Sequence, residues 1–109
     1  MNNIVYSNQA EIDLENAIEY IAKDSILNAI EYLNGYNCKI ELLKSNPYMG
    51  IDCKYKLIKR DCQVLIYKNH IIIYKFNKVK KDILIIRIYH TKTDYINKIN
   101  NKEKNNEIQ

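Results

Sequence analysis

The stretch from Cys62 to Phe76, CQVLIYKNHIIIYKF, decides the fold class of this chain. Two apolar runs, CQVLIY and HIIIYKF, flank Lys68-Asn69, and this spacing predicts two antiparallel strands joined by a two-residue turn, in which Asn69 is able to take a positive φ. A third apolar run, ILIIRIYH, extends from Ile83 to His90 after the polar loop 77–82. Strands that are apolar at almost every position are covered on both faces. The core should therefore be a mainly antiparallel sheet between two layers.

Two shorter runs complete the predicted sheet. The segment NIVY, Asn3 to Tyr6, precedes the first helical pattern and is expected to form a short N-terminal strand. Residues Tyr55 to Ile58 are a candidate edge strand, in which Lys54 and Lys56 would share one face because strand side chains alternate. The sequence thus predicts an α+β fold in the order β-α-α-β-β-β-β, with a curved sheet.

A helical hairpin is predicted between the first strand and the others. Ser7 or Asn8 can cap the first helix, whose apolar stripe recurs with helical period and whose acidic residues are expected to face water (Glu11, Asp13, Glu15 and Glu19). Asp24 and Ser25 offer the second cap. The second helix presents one apolar face with two tyrosines beside it (Leu27, Ile30, Leu33, Ile40 and Leu43; Tyr32 and Tyr36). Its expected end is near Ser45, because Pro47 disfavours helical backbone in the preceding residue. Gly35 within it predicts a bend or a close helix crossing.

Length and composition limit the class of protein. The 109 residues predict a single domain over residues 1–95, followed by a polar segment, 96–109, whose start is partly helical. The formal charge is +4, and Arg60 and Arg87 are the only arginines. Three unpaired-looking cysteines and no secretory signal favour reduced thiols in a cytoplasm. The sequence predicts no membrane span, no metal site and no cofactor.

The apolar strands also predict a covering layer beyond the helical hairpin, because two helices cover only one face of a sheet. Three occupants are open for the second face: the C-terminal segment, a second copy of the chain, or a partner protein. Exposed apolar area of more than a few hundred Å² usually marks a partner site. The oligomeric state is left open, with a dimer and a hetero-oligomer both compatible.

Several stretches in this order resemble the RelE/ParE toxin superfamily. The opening YSNQAEIDLENAIEYIAKDS is similar to the family's first strand and helix, and LLKSNPYMGI to its helix-ending turn with Pro-x-x-Gly. HIIIYKF resembles the penultimate strand, and IIRIYHTKTDY the last strand, which closes on a histidine. The resemblance runs from Ile4 to Tyr95. It implies a toxin of a type II toxin–antitoxin system, neutralised by an antitoxin whose extended or helical segment lies in a hydrophobic groove.

Two activities are known in the superfamily. RelE-like members cut mRNA on the ribosome, whereas ParE-like members inhibit DNA gyrase without a conserved nuclease centre. Cleavage of RNA needs a general base, cations and an acid, and the candidates here are Lys54, Lys56, Arg60, Arg87, His90 and Tyr95. Two alternatives remain for Arg87, a nuclease role or a pairing with a carboxylate at the sheet's rim. His90 is expected to cap a strand end by hydrogen bonding.

Gln63 favours the ParE-like alternative. It stands at the start of the central strand, where the resemblance to RelE-like members would place an arginine that grips the scissile phosphate. The helix start and the Pro-x-x-Gly turn also resemble ParE more closely. We therefore predict a ParE-like gyrase inhibitor, with an mRNA endoribonuclease as the alternative and an inactive interaction module as a further one.

Overall fold

The computed structural model describes residues 2–108 and the side chains of residues 2–101. In chain order the elements are β1 (Asn3–Tyr6), α1 (Asn8–Asp24), α2 (Ile26–Ser45), β2 (Ile51–Asp52), a 3₁₀ helix (Cys53–Lys56), β3 (Gln63–Tyr67), β4 (His70–Asn77), β5 (Asp82–His90) and α3 (Tyr95–Ile108). The predicted α+β class and order of elements are confirmed. No described helix is both long and apolar enough to cross a bilayer.

The five strands form one sheet in the order β1-β5-β4-β3-β2. β1 pairs with β5 in parallel, and the other neighbours are antiparallel. The predicted hairpin is confirmed, with Tyr67 opposite His70. Its turn differs in one detail, because Lys68 rather than Asn69 takes the positive φ, at 48°.

The two helices of the hairpin begin at the predicted capping residues, and the second ends at the predicted position. The Ser7 hydroxyl accepts from the Ala10 N–H, and the Ser25 hydroxyl accepts from the Asn28 N–H. These side chains satisfy backbone donors that the first helical turn leaves unpaired. α2 ends at Ser45, and Asn46 has left the helical region with φ −135° and ψ 68°. Both caps and the end of the hairpin are therefore confirmed.

The buried face of α2 differs from the predicted one. Leu27 and Ile30 were expected on the apolar face, yet they are 78% and 52% exposed. The residues that face the sheet are instead Ala29, Tyr32, Tyr36, Ile40 and Leu43. The tyrosines bury their rings and keep polar partners: the Tyr36 hydroxyl bonds that of Tyr6 at 2.8 Å. A tyrosine can be buried when its hydroxyl has a hydrogen-bond partner. The prediction counted only aliphatic residues, and it therefore rotated the buried face of α2 away from the two tyrosines.

Gly35 permits a close approach between α2 and β3. A Cβ at this position would collide with the Tyr67 hydroxyl, which donates to the Tyr32 carbonyl at 3.1 Å. The predicted close contact at Gly35 therefore exists, but its partner is a strand side chain and not a second helix.

The start of α3 packs on the second face of the sheet. Ile99 is 1% exposed and packs with residues of the central strands, among them Val64, Ile71 and Ile73. The first face packs against α1 and α2 around Tyr36, Leu43, Ile72 and Ile85. Of the three open occupants, the C-terminal segment covers part of this face, and Ile66 remains 48% exposed on it.

Two predictions for the segment between β2 and β3 are wrong. Residues 55–58 do not form an edge strand: Cys53–Lys56 is a 3₁₀ helix, and Leu57 ends it with φ 59°. Lys54 and Lys56 therefore do not share the face of a strand. Cys53 and Cys62 are joined by a disulfide, whereas reduced thiols were expected; Cys38 is a free, exposed thiol. The pairing requires the loop to fold back so that the Cys53 N–H donates to the Cys62 carbonyl, which spacing alone does not reveal.

Candidate functional site

A buried ion pair ties the last strand to the first helix. The Asp13 carboxylate accepts from Arg87 Nε at 2.8 Å, from Arg87 Nη2 at 3.2 Å and from the Ile88 N–H at 2.9 Å. The Asp13 side chain is 9% exposed and that of Arg87 16%. Asp13 was expected to face water, and that prediction is wrong. Of the two alternatives for Arg87, the structure contains the carboxylate pairing.

The position of this pair follows from where β1 ends. β1 covers the edge of β5 only as far as Tyr6, which lies opposite Ile85. Beyond that point α1 runs beside β5, with the Ser7 hydroxyl donating to the Ile86 carbonyl and Asp13 accepting the Ile88 N–H. Two side chains thus replace the missing strand, which keeps the backbone groups of the β5 edge satisfied.

A β-bulge in β5 changes which β4 residue lies opposite each later residue of β5. Tyr74 lies opposite Ile85 and Ile73 opposite Arg87, so Ile86 is an extra residue in β5. A bulge re-aims the side chains that follow it. Arg87 consequently lies over the Tyr89 ring, with its Cζ atom 4.5 Å from the centroid. Without the extra residue, His70 would lie opposite Tyr89; with it, His70 lies opposite His90.

The two histidines form a pair at the open end of the sheet. Their rings meet edge to face with centroids 5.4 Å apart. His70 Nδ1 is hydrogen-bonded to the Tyr32 hydroxyl, and His90 Nδ1 accepts from the Lys92 N–H at 3.1 Å. His90 thus caps the end of β5, as expected from the sequence.

Burial shifts the pKa of His70 and that of its partner Tyr32. Burial, with a further contribution from His90, lowers the pKa of His70 below its ordinary value. Burial also raises the pKa of Tyr32, with Tyr67 adding to the effect. At neutral pH we therefore treat His70 as uncharged and Tyr32 as a protonated hydroxyl.

An open cleft of about 860 Å³ runs along this edge of β5, between α1 and the start of α3. The α1 wall carries Asp13, Asn16, Ala17 and Tyr20. The floor is formed by strand residues that include Arg87, Tyr89 and both histidines, and the far wall carries Lys92, Thr93, Lys98 and Asn101. A smaller cavity of about 260 Å³ shares Tyr20, His70 and His90 and adds Tyr32 and Lys68. The histidine pair therefore lies where two cavities meet.

Comparison with known proteins agrees with the fold and with the residue pattern. The family model of the ParE toxin of the type II toxin–antitoxin system, parDE, matches residues 4–95. The chain belongs to the ParE toxin family. No curated protein matches the chain.

The residues predicted as nuclease candidates do not lie together in this ParE-family protein. Arg87 and His90 line the cleft, whereas Lys54 and Lys56 belong to the 3₁₀ helix that follows β2. β2 is three strands away from β5, which corresponds to about 14 Å at ordinary strand spacing. Arg60 lies in the loop that the disulfide closes. Tyr95 begins α3 and packs against the α3-side core.

Some residues of the cleft escaped the sequence analysis. Tyr20 was part of a helix without an assigned role, and Lys92 and Lys98 counted only towards net charge. The histidines were far apart in sequence, although counting back from the 78–81 loop would have placed His70 within one residue of His90. The ParE-family match ends at Tyr95, so Lys98 lies outside the matched range.

A metal at the histidine pair would need ring nitrogens that are free to ligate. Both Nδ1 atoms are hydrogen-bonded, which leaves the Nε2 atoms as the possible ligands. Because His90 Nδ1 accepts from the Lys92 N–H, its Nε2 carries the proton of the neutral ring. Within residues 2–101, no group of three or more His, Cys, Asp or Glu residues is arranged to hold a metal ion. The cleft is instead rich in hydrogen-bond donors.

Proposed function

We propose that this ParE-family toxin inhibits DNA gyrase by stabilising the cleaved-DNA state, and that a cognate antitoxin neutralises it in the cytoplasm. The observation that carries the proposal is the family match across residues 4–95, which includes β1 from Ile4 onward, the other four strands, α1 and α2. The toxin class follows from family membership. The gyrase target and the antitoxin are the proposed steps.

The positions of the nuclease candidates support an inhibitor over a ribonuclease. Acid–base cleavage of RNA needs its base, cation and acid within hydrogen-bond reach of one phosphate. Lys54 and Lys56 lie at the β2 edge and Arg87 and His90 at the β5 edge. Arg87 already places two nitrogens on Asp13. This arrangement offers no single centre built from the predicted set.

The tip of the helical hairpin is the surface that we assign to the antitoxin. Ile26 and Leu27 are 70% and 78% exposed, and Ile30 lies one turn further along α2. Tyr20, near the end of α1, is also exposed. Ile26, Leu27 and Ile30 are three and four positions apart on α2 and make an apolar patch, which suits an amphipathic helix or an extended segment of a partner.

A gyrase assay tests the target. Purified toxin is titrated into gyrase, relaxed plasmid and ATP, and the products are separated after detergent and protease treatment. We expect loss of supercoiled plasmid and a rise in linear DNA, with a type I topoisomerase unaffected in a parallel reaction. Normal supercoiling at a stoichiometric excess of folded toxin would reject the target.

Binding of the product of the adjacent reading frame tests the antitoxin surface. Leu27→Asp should weaken the complex, since it places a charge at the centre of the patch. Tyr55→Asp is the matched control, because Tyr55 is 74% exposed but lies beside β2, away from the hairpin tip. Equal weakening by both variants would refute this placement, and calorimetry of the purified pair measures it.

A further inference from the structure

We propose that the cleft along the open edge of β5 binds single-stranded nucleic acid, with the phosphodiester backbone on Lys92, Lys98 and His90 and a base stacked on Tyr20. This inference goes beyond gyrase inhibition and does not depend on it. It rests on the charge of the cleft, on its oriented donors and on an exposed aromatic ring at its lip.

The cleft has an excess of positive charge. Among its lining residues, Asp13 is the one carboxylate, and Arg87 occupies both of its oxygens. Lys92 and Lys98 therefore remain as positive charges without a carboxylate in the lining to neutralise them. Both are exposed at the surface. Lysines along a groove are the usual contacts for a phosphate backbone.

The wider charge distribution favours the same partner. Residues 8–45, which make up the helical hairpin, carry seven acidic and three basic residues, whereas the complete chain has a net charge of +4. The remaining residues therefore carry a net charge of +8. A polyanion would be repelled by the hairpin and attracted to the strands and to α3, where the cleft has its basic wall.

His90 contributes a donor with a fixed position. Its Nδ1 accepts the Lys92 N–H, so the proton of the neutral ring lies on Nε2. An Nε2–H donates to phosphate oxygen, and it cannot ligate a metal while it carries that proton. The bulge at Ile86 moves His90 into the row of His70, where both rings line the cleft.

Tyr20 supplies the surface for a base. It is 75% exposed, and it lines both the main cleft and the smaller cavity beside it. An exposed aromatic ring beside a basic groove is the usual platform for unpaired bases, whereas the bases of a duplex are already stacked. This ring is what favours a single strand over a duplex and over an acidic protein.

One of the residues that line the cleft has a buried hydroxyl without a partner. Tyr89 is 6% exposed, and its hydroxyl has no hydrogen-bond partner among the described residues. Buried polar atoms are nearly always satisfied by protein, water or ligand. Tyr89 lies between Arg87 and His90 in β5 and is one of the residues that line the cleft.

The test is fluorescence anisotropy of the full-length toxin with labelled 12-nucleotide single strands of DNA and of RNA, and with the matching DNA duplex. We expect at least one of the two single strands, DNA or RNA, to bind more tightly than the duplex. Lys92→Ala with Lys98→Ala should weaken binding about 10-fold or more and reduce the salt slope by about 1.4, since each phosphate contact on a single strand contributes about 0.7. Tyr20→Ala should weaken binding by about 5-fold or more with an unchanged salt slope.

The matched control removes the same charge elsewhere. Lys78 and Lys80 are exposed in the loop between β4 and β5, at the opposite end of the nine-residue β5. If Lys78→Ala with Lys80→Ala weakens binding as much as the cleft pair, the attraction is general and the proposal is overturned. Chemical denaturation of every variant verifies that it is folded.

Three other results would also overturn it. One is the absence of binding up to about 100 µM toxin, the weak limit of non-specific nucleic-acid affinity. Another is tighter binding of the duplex than of either strand. The third is binding of a labelled poly-glutamate peptide that depends on Lys92 and Lys98 while no oligonucleotide binds, which would assign the cleft to an acidic protein. Because gyrase is not in the assay, failure here leaves the gyrase proposal to its own test.

Discussion

Replacing Asp13 by Ala should destabilise this toxin more than any other change to a charged residue of α1. The substitution removes four hydrogen bonds at once, from Gln9 Nε2, Arg87 Nε, Arg87 Nη2 and the Ile88 N–H. It also leaves the Arg87 guanidinium, whose side chain is 16% exposed, without its carboxylate. Breaking a buried ion pair from one side costs about 3–5 kcal/mol. The partial exposure of Arg87 lets water recover some of that loss, so we expect about 3 kcal/mol.

Equilibrium unfolding in urea, followed by circular dichroism, measures the change. Urea slopes for small domains are about 1–3 kcal/mol per molar, so a loss of about 3 kcal/mol lowers the midpoint by about 1–3 M. Glu15→Ala is the matched control, because Glu15 is an exposed carboxylate on the same helix and should change stability by less than about 0.5 kcal/mol.

A double-mutant cycle with Arg87→Met separates the ion pair from the backbone contact. Once Arg87 is apolar, Asp13→Ala should cost only the hydrogen bonds from the Ile88 N–H and from Gln9 Nε2. We expect about 1 kcal/mol for this loss, because Ile88 lines the open cleft, where water can replace the carboxylate. We therefore expect a coupling free energy of about 2 kcal/mol between the two side chains. Additivity within about 0.5 kcal/mol would refute the argument that the two residues act as one unit.

Three further predictions follow from the packing, the disulfide and the histidine pair. Gly35→Ala should lower stability because its Cβ meets the Tyr67 hydroxyl, and the loss should shrink when Tyr67 is replaced by Phe; stabilisation by the alanine in the parent protein would contradict this. Reduction of Cys53–Cys62 should cost about 2–3 kcal/mol, measured as the difference between urea unfolding with and without a phosphine reductant, and an unchanged midpoint would show that the crosslink adds nothing. The lowered pKa of His70 means that the unfolded chain binds the proton more tightly, so stability should fall as the pH drops below about 6.5. His70→Gln should make this decline shallower, and an identical pH profile would argue against the assignment.

The local parts of the fold were predictable from the sequence. Ser7 and Ser25 cap their helices by contacts three residues away, and Pro47 acts on the residue before it. The Tyr67–His70 turn is likewise set by adjacent residues. Each of these signals is complete within one short stretch, so composition and spacing suffice to find it.

The errors concern features that depend on distant residues. Asp13 was taken for a solvent-facing acid because its partner, Arg87, lies 74 positions away. The disulfide needed the fold of the loop between Cys53 and Cys62, which neither cysteine encodes alone. Predicting the histidine pair in the cleft would have required knowing that Ile86 is an extra residue, because this bulge moves His90 opposite His70. A bulge inside an almost continuous apolar run leaves no change in hydrophobic pattern for the sequence to reveal.

The parallel pairing of β1 with β5 has a consequence for synthesis of the toxin. Asn3 pairs with Asp82 and Tyr6 with Ile85, so the first strand finds its neighbour only when nearly four fifths of the chain exists. At about 5–20 residues per second, a ribosome needs about 4–16 s to make that stretch. The N-terminal strand therefore waits unpaired while the rest of the sheet is translated, and the nascent toxin has no finished sheet in that interval.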